Sequence, residues 1–97
     1  MLAHIQVSPR PAGTTTHQYA HVDAAIEVIR ASGLVHEVGA MGTTVQGAPD
    51  DVWRLLREVH EATLAAGAAG VTSHIKVGQA AGDAGPTITD LVAKFRA

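Results

Sequence analysis

Cysteine is absent from the 97-residue sequence, which excludes a disulfide framework, a thiolate metal site and a cysteine nucleophile. That composition suits a reducing compartment, and a cytoplasmic location is expected. Aromatic residues are nearly absent too: only Tyr19, Trp53 and Phe95 occur, so the core must be aliphatic. Charge is sparse at 16%, and the formal net charge of −2 comes from dispersed residues. Without a block of Lys and Arg to follow a phosphate backbone or an anionic lipid surface, neither nucleic acid nor membrane is an expected partner. No apolar run approaches the roughly 20 residues that span a bilayer. The opening Ala3-His4-Ile5-Gln6-Val7 has no basic flank of the kind that leads a secretory signal.

What is present is a 46% hydrophobic content, which argues for a packed globule. Residues 1–97 fit one domain. A chain this short buries only about two thirds of the surface its unfolded form exposes, so self-association is expected to help stabilise it.

Leu2 to Ser8 alternates, Ala3, Ile5 and Val7 against His4, Gln6 and Ser8, which is the period of a strand with one buried face. Pro9 to Gly13 interrupts regular structure. From Gln18 to Ser32, Val22, Ala25, Ile26 and Ile29 recur at helical spacing, and Gly33 suits the helix end. Leu34 to Ala40 and Thr43 to Gln46 read as two strands joined through Met41-Gly42, although the facing of the first is ambiguous. Pro49, Asp50 and Asp51 mark a helix start, because Pro tolerates the first helical position and acids favour the positive end of the dipole. Val52, Leu55, Leu56, Val59, Thr63 and Ala66 form its stripe, and Gly67 stops it. Val71 to Val77 reads as a fourth strand, Gly78 to Gly85 as a mobile loop, and Ile88 to Phe95 as a short helix. The order predicts an α+β, ferredoxin-like βαββαβ fold: an antiparallel four-stranded sheet in order 4-1-3-2, two helices on one face and a short C-terminal helix.

One sheet face is then left uncovered, carrying His4, Gln6, Ser8, Thr44, Gln46, Thr72, His74 and Lys76. A solvated polar face would fit this pattern, but Gln, His and Ser predominate over the Lys, Glu and Thr favoured on exposed strands, which favours a contact surface for a partner.

Six His raise the question of a metal. His4 and His74 on adjacent strands could offer two nitrogens, but a third ligand would have to come from His36, Glu37 or another subunit. The i, i+4 pair His17 and His21 reads as surface residues. His60-Glu61 opens like a zinc-protease helix, yet Leu64 stands where the second His is required. No metal or cofactor is expected. Nor is catalysis, since no nucleophile elbow, phosphate-cradling loop or paired carboxylate stands out, and Gly78 to Gly85 lacks the spacing and the Lys of a P-loop.

Several segments together resemble the small thiamine-binding protein family of roughly hundred-residue chains. They are Val7-Ser8-Pro9, Tyr19, Ile29 with Ser32-Gly33-Leu34, Met41-Gly42-Thr43, Gly47, His60-Glu61 and Ile75-Lys76-Val77. The resemblance covers nearly the whole chain and implies a ferredoxin-like fold, dimers that pair as tetramers, and non-catalytic binding of thiamine or a related hydroxymethylpyrimidine. Thiamine presents an aminopyrimidine that needs donors and acceptors, and a thiazolium cation that needs a carboxylate or an aromatic face. The expected ligand contacts are Gln6, Ser8, Met41, Gly42, Thr43, Thr44 and Gln46, with Glu37 for the cation. The chain departs from the family pattern at His4, Gln46 and Gln79; at Gln46 a neutral amide replaces a carboxylate. Two other readings stand beside this one: an interaction module whose pocket has decayed, and a His-dependent metal protein.

Overall fold

A computed structural model describes residues 1–96. Its elements run β1 (Leu2–Arg10), α1 (Ala20–Ala31), β2 (Val35–Val38), β3 (Thr43–Gln46), α2 (Pro49–Ala65), β4 (Gly70–Gly78) and α3 (Ile88–Val92), with single 3-10 turns at Ala81–Asp83 and Ala93–Phe95. The sheet is antiparallel throughout in the order β2-β3-β1-β4, the ferredoxin-like arrangement expected from the sequence.

The alternation of β1 settles which way the sheet faces. Ala3 and Ile5 are buried beneath the helices, and their cross-strand partners Val45, Val77, Thr43 and Ile75 share that side. Ala25 and Ile29 of α1 and Val52, Leu55, Leu56 and Val59 of α2 close over them as one aliphatic core. Complete burial of a side chain such as Ile29 or Val59 contributes about 1.5–3 kcal/mol, so the two helices are held mainly by this layer. Helix α1 ends where Gly33 turns left-handed at φ +74°, and α2 starts with Pro49 in its first turn beside Asp50 and Asp51.

The facing of β2, open in the sequence, is fixed by its register. Val35 lies opposite Gln46 and Glu37 opposite Thr44, on the face away from the helices; His36 and Val38 lie opposite Val45 and Thr43, toward them. Strand β1 also runs two residues further than the sequence suggested, through Pro9 to Arg10. Pro9 is tolerated because β3 has already ended there, so its missing N–H costs no ladder bond.

The expectation of a wholly uncovered sheet face needs correction. The chain beyond β4 returns across β2 and β3: the Ile88 N–H donates to Gln46 Oε1 at 2.7 Å, and the Arg96 guanidinium pairs with Glu37. Ile88 is buried there. The segment Gly78 to Gly85, expected as a mobile loop, contains the 3-10 turn, and Asp83 Oδ1 lies 2.5 Å from the Met1 nitrogen.

A reciprocal capping box starts α3: the Thr87 N–H donates to the Asp90 carboxylate, and the Asp90 N–H donates to Thr87 Oγ1. The Thr87 backbone N–H, and after it the Thr87 hydroxyl, hold the Asp90 carboxyl below its ordinary range. A carboxylate depressed in the folded state adds stability above its unfolded value and loses it as pH falls through the folded one. Hydrogen-exchange protection of the α3 amides should therefore fall at acidic pH while the α1 and α2 amides keep theirs. The Asp90→Asn variant should show no such pH dependence; equal behaviour of native chain and variant would refute the capping role.

Candidate functional site

The site arises from a difference in strand length. β1 has nine residues and β3 four, and their pairing ends at Ile5 opposite Thr43. Residues 6–10 therefore have β4 on one flank and no strand on the other. The turn between β2 and β3, closed by the Gly39 N–H donating to the Gly42 carbonyl at 2.9 Å, stops level with this point, and α1 stands alongside.

The space so bounded is a cleft of about 400 Å³, within the roughly 300–1,000 Å³ range of small-molecule sites. β1 supplies Ile5, Gln6 and Val7. Helix α1 supplies Val22, Asp23 and Ile26 with its N-cap Tyr19, and the turn supplies Gly39 to Gly42 with Thr43 at the start of β3. Ile29 and Val59 form its apolar back. Tyr19 and Met41 are largely exposed and stand at the rim. Among the described residues that line the cleft, Asp23 alone carries a charge, and it takes part in no ion pair among the described residues.

Of the residues expected from the sequence to touch a ligand, Gln6, Met41, Gly42 and Thr43 border this cleft, although strand alternation turns the Gln6 side chain to the open face, opposite His74. Ser8, Glu37, Thr44 and Gln46 sit on the opposite sheet face, paired in register with Thr72, Thr44, His4 and Leu2 respectively. Two of these are already engaged, Glu37 by Arg96 and Gln46 by Ile88. Sequence reading missed Asp23, Val22 and Ile26 as cleft residues, and took Tyr19 only as a family marker. The signal was there: Tyr19, Asp23 and Ile26 follow one another at helical spacing on a stripe beside the core positions Ala25 and Ile29.

The histidines divide by environment. His4 lies opposite Thr44 and Lys76, while His74 lies opposite Gln6, so His4 and His74 are diagonal neighbours on the open face. Among the described residues no group of three or more His, Asp or Glu is placed to hold a metal ion. His21, read from the sequence as a surface residue, is buried, because its Nδ1–H donates to the Pro11 carbonyl at 2.7 Å and ties α1 to the end of β1. His60 Nδ1 and Ser73 Oγ are 2.6 Å apart and tie α2 to β4.

Residues 3–96 match the sequence model of the family described as thiamine-binding protein. The chain belongs to the thiamine-binding protein family. It is 34% identical over 86 residues to a UPF0045 protein of Clostridium perfringens, an alignment covering 89% of this chain and 88% of that one. A domain-of-unknown-function (DUF77) structure from Bacillus cereus superposes with a TM-score of 0.80 at 35% identity, covering 99% of this chain and 91% of that one. A Thermotoga maritima structure, provisionally described as a thiamine biosynthesis/salvage protein, gives 0.76 at 26% identity, covering 99% and 100%.

Within this family fold, Gly42 holds the rim of the cleft by being small. A Cβ there would lie 2.5 Å from His4 Cε1 and 2.9 Å from the Ile5 carbonyl oxygen. The Gly42→Ala variant should lose about 1–3 kcal/mol of stability in chemical denaturation, and adding His4→Ala should restore part of that loss. An unperturbed Gly42→Ala variant would refute the close contact.

Proposed function

We propose that this protein binds thiamine, or the hydroxymethylpyrimidine that forms half of it, in the cleft between α1, β1 and the β2–β3 turn, as a carrier or sensor and not as an enzyme. The observation that carries the reading is the lone carboxylate of Asp23 among the described lining residues of a largely apolar cleft that Tyr19 also lines. A flat cationic ligand calls for that combination: a carboxylate and an aromatic face for the thiazolium, aliphatic walls for the planar rings. Membership of the thiamine-binding family supports the choice of ligand. Binding without turnover is favoured because Asp23 is the one carboxylate among the described lining residues, and acid–base catalysis usually needs a second group of matched pKa.

Thiamine at about 100 times its dissociation constant should stabilise the fold by about 2.7 kcal/mol, a rise in Tm on the order of 10 °C for a domain of this size. An ion pair at a partly solvated site is worth about 1 kcal/mol. The Asp23→Asn variant should accordingly bind thiamine about fivefold more weakly in calorimetry, yet bind neutral hydroxymethylpyrimidine as the native chain does. Equal weakening for both ligands would contradict the role of Asp23, and no binding of either would remove the function.

We infer further that the protein works as a homo-oligomer. Its accessible surface of 6089 Å² exceeds the roughly 5,200 Å² expected of a folded monomer of 10.0 kDa. Part of the exposed apolar surface lies along α2 and β4. The α2 flank Trp53, Arg57, His60, Leu64 faces β4, as the His60–Ser73 contact shows, and Trp53 and Leu64 are 51% and 43% exposed. Ile75 and Val77 on the helix-facing side of β4 are exposed as well, and the outer edge of β4 has no strand partner among the described residues. A second copy laid along β4 would cover this patch. Sedimentation of the native chain at micromolar concentration should show a dimer or larger species, and Val77→Lys should shift it toward monomer. A monomeric native chain would contradict the inference.

A further inference from the structure

The cleft holds a recognition element that side chains do not supply. Met1 and Gly47 exchange backbone hydrogen bonds, 3.0 Å from the Met1 nitrogen to the Gly47 carbonyl and 3.2 Å in return. In an antiparallel ladder such hydrogen-bonded pairs recur at every second residue, so the odd-numbered residues of β1 turn their N–H and C=O toward β3, and the even-numbered ones toward β4. The sequence agrees with this parity, because Pro9, which has no N–H, is odd-numbered and lies where β3 has ended. Ile5 is the last residue on that flank with a strand partner, Thr43. Val7 is the next of the same parity. Its N–H and C=O point side by side into the space that β3 has left, and Val7 lines the cleft.

We propose that the backbone N–H and C=O of Val7 read the aminopyrimidine edge of the ligand, which docks on β1 as a strand residue would. This rests on the binding function proposed above and specifies how the site selects its ligand. The 4-aminopyrimidine edge offers a ring nitrogen that accepts and, beside it, an amino group that donates; one residue's N–H and C=O are the complement of that pair. Asp23 and Tyr19, on the α1 side of the same cleft, would then receive the thiazolium. The selected class is a heteroaromatic cation with adjacent acceptor and donor, so a ring that reverses the two is refused.

Calorimetry on the native chain with thiamine, hydroxymethylpyrimidine and oxythiamine, in which the 4-amino group is replaced by oxygen and the adjacent nitrogen carries a proton, tests the pairing directly. Oxythiamine should bind at least tenfold more weakly than thiamine. Val7→Pro removes the N–H and no ladder bond, as Pro9 already does two residues on. It should weaken thiamine and hydroxymethylpyrimidine together by tenfold or more, whereas Val7→Ala should weaken them little. Circular dichroism establishes that each variant is folded, and if Val7→Pro is not, the oxythiamine comparison on the native chain decides alone. Oxythiamine binding as tightly as thiamine, or a folded Val7→Pro variant with undiminished affinity, would overturn the Val7 assignment while leaving thiamine binding intact. Failure of the native chain to bind thiamine and hydroxymethylpyrimidine would instead remove the binding function itself.

Discussion

The mismatch between a nine-residue β1 and a four-residue β3 governs the rest of the molecule. Over its first half β1 is a central strand, paired on both sides and buried beneath two helices; over its second half it is an edge. An unpaired edge inside a fold leaves backbone polar groups that want partners. Here the open flank is not covered by another strand but is roofed by α1 and fenced by the β2–β3 turn, so the missing strand becomes a cleft of ligand size. The short hairpin, with Gly42 packed against His4 and Gly39 closing on Gly42, is what keeps β3 from extending into that space.

The same constraint sets the division of labour among the side chains. Ala25 and Ile29 on α1 serve the core, while their helical neighbours Val22 and Ile26 remain half-buried over the cleft, beside the exposed Tyr19 and Asp23. One helix thus both closes the hydrophobic layer and presents the only charge among the described residues that line the site. On the other side of the sheet, Gln46 and Glu37 hold the returning C-terminal segment. Polar residues that looked available for a ligand are, in the fold, spent on covering part of the open face.

Most of the architecture was legible in the sequence because it follows from periodicity. The alternation in β1, the stripes of α1 and α2, Gly33 and Pro49 at their ends and the order of elements leave few topologies. The site was half legible. Gln6, Met41, Gly42 and Thr43 border the cleft, the last three because the Met41-Gly42-Thr43 segment that carries the family resemblance forms its turn. Ser8, Thr44 and Gln46 were grouped with them by strand alternation, which says which residues share a face but not which face is hollow. Asp23 was passed over because one acid on an amphipathic helix looks like any solvated acid until its neighbours are known. His21 was misread for the same reason: i, i+4 spacing near a helix start says nothing of the Pro11 carbonyl that buries it. The length mismatch of β1 and β3 could not be seen at all, since Pro9 reads locally as a strand terminator and only the pairing with β4 carries β1 past it.

The most direct measurement is an amide chemical-shift map of the isotopically labelled protein during titration with thiamine. Binding in the cleft predicts the largest saturable shifts at Val7, Tyr19, Asp23 and Met41 to Thr43, with little change at Thr72, His74 and Lys76. Shifts concentrated on the open face at Thr44, Gln46 and Glu37, with Val7 and Asp23 unmoved, would contradict it.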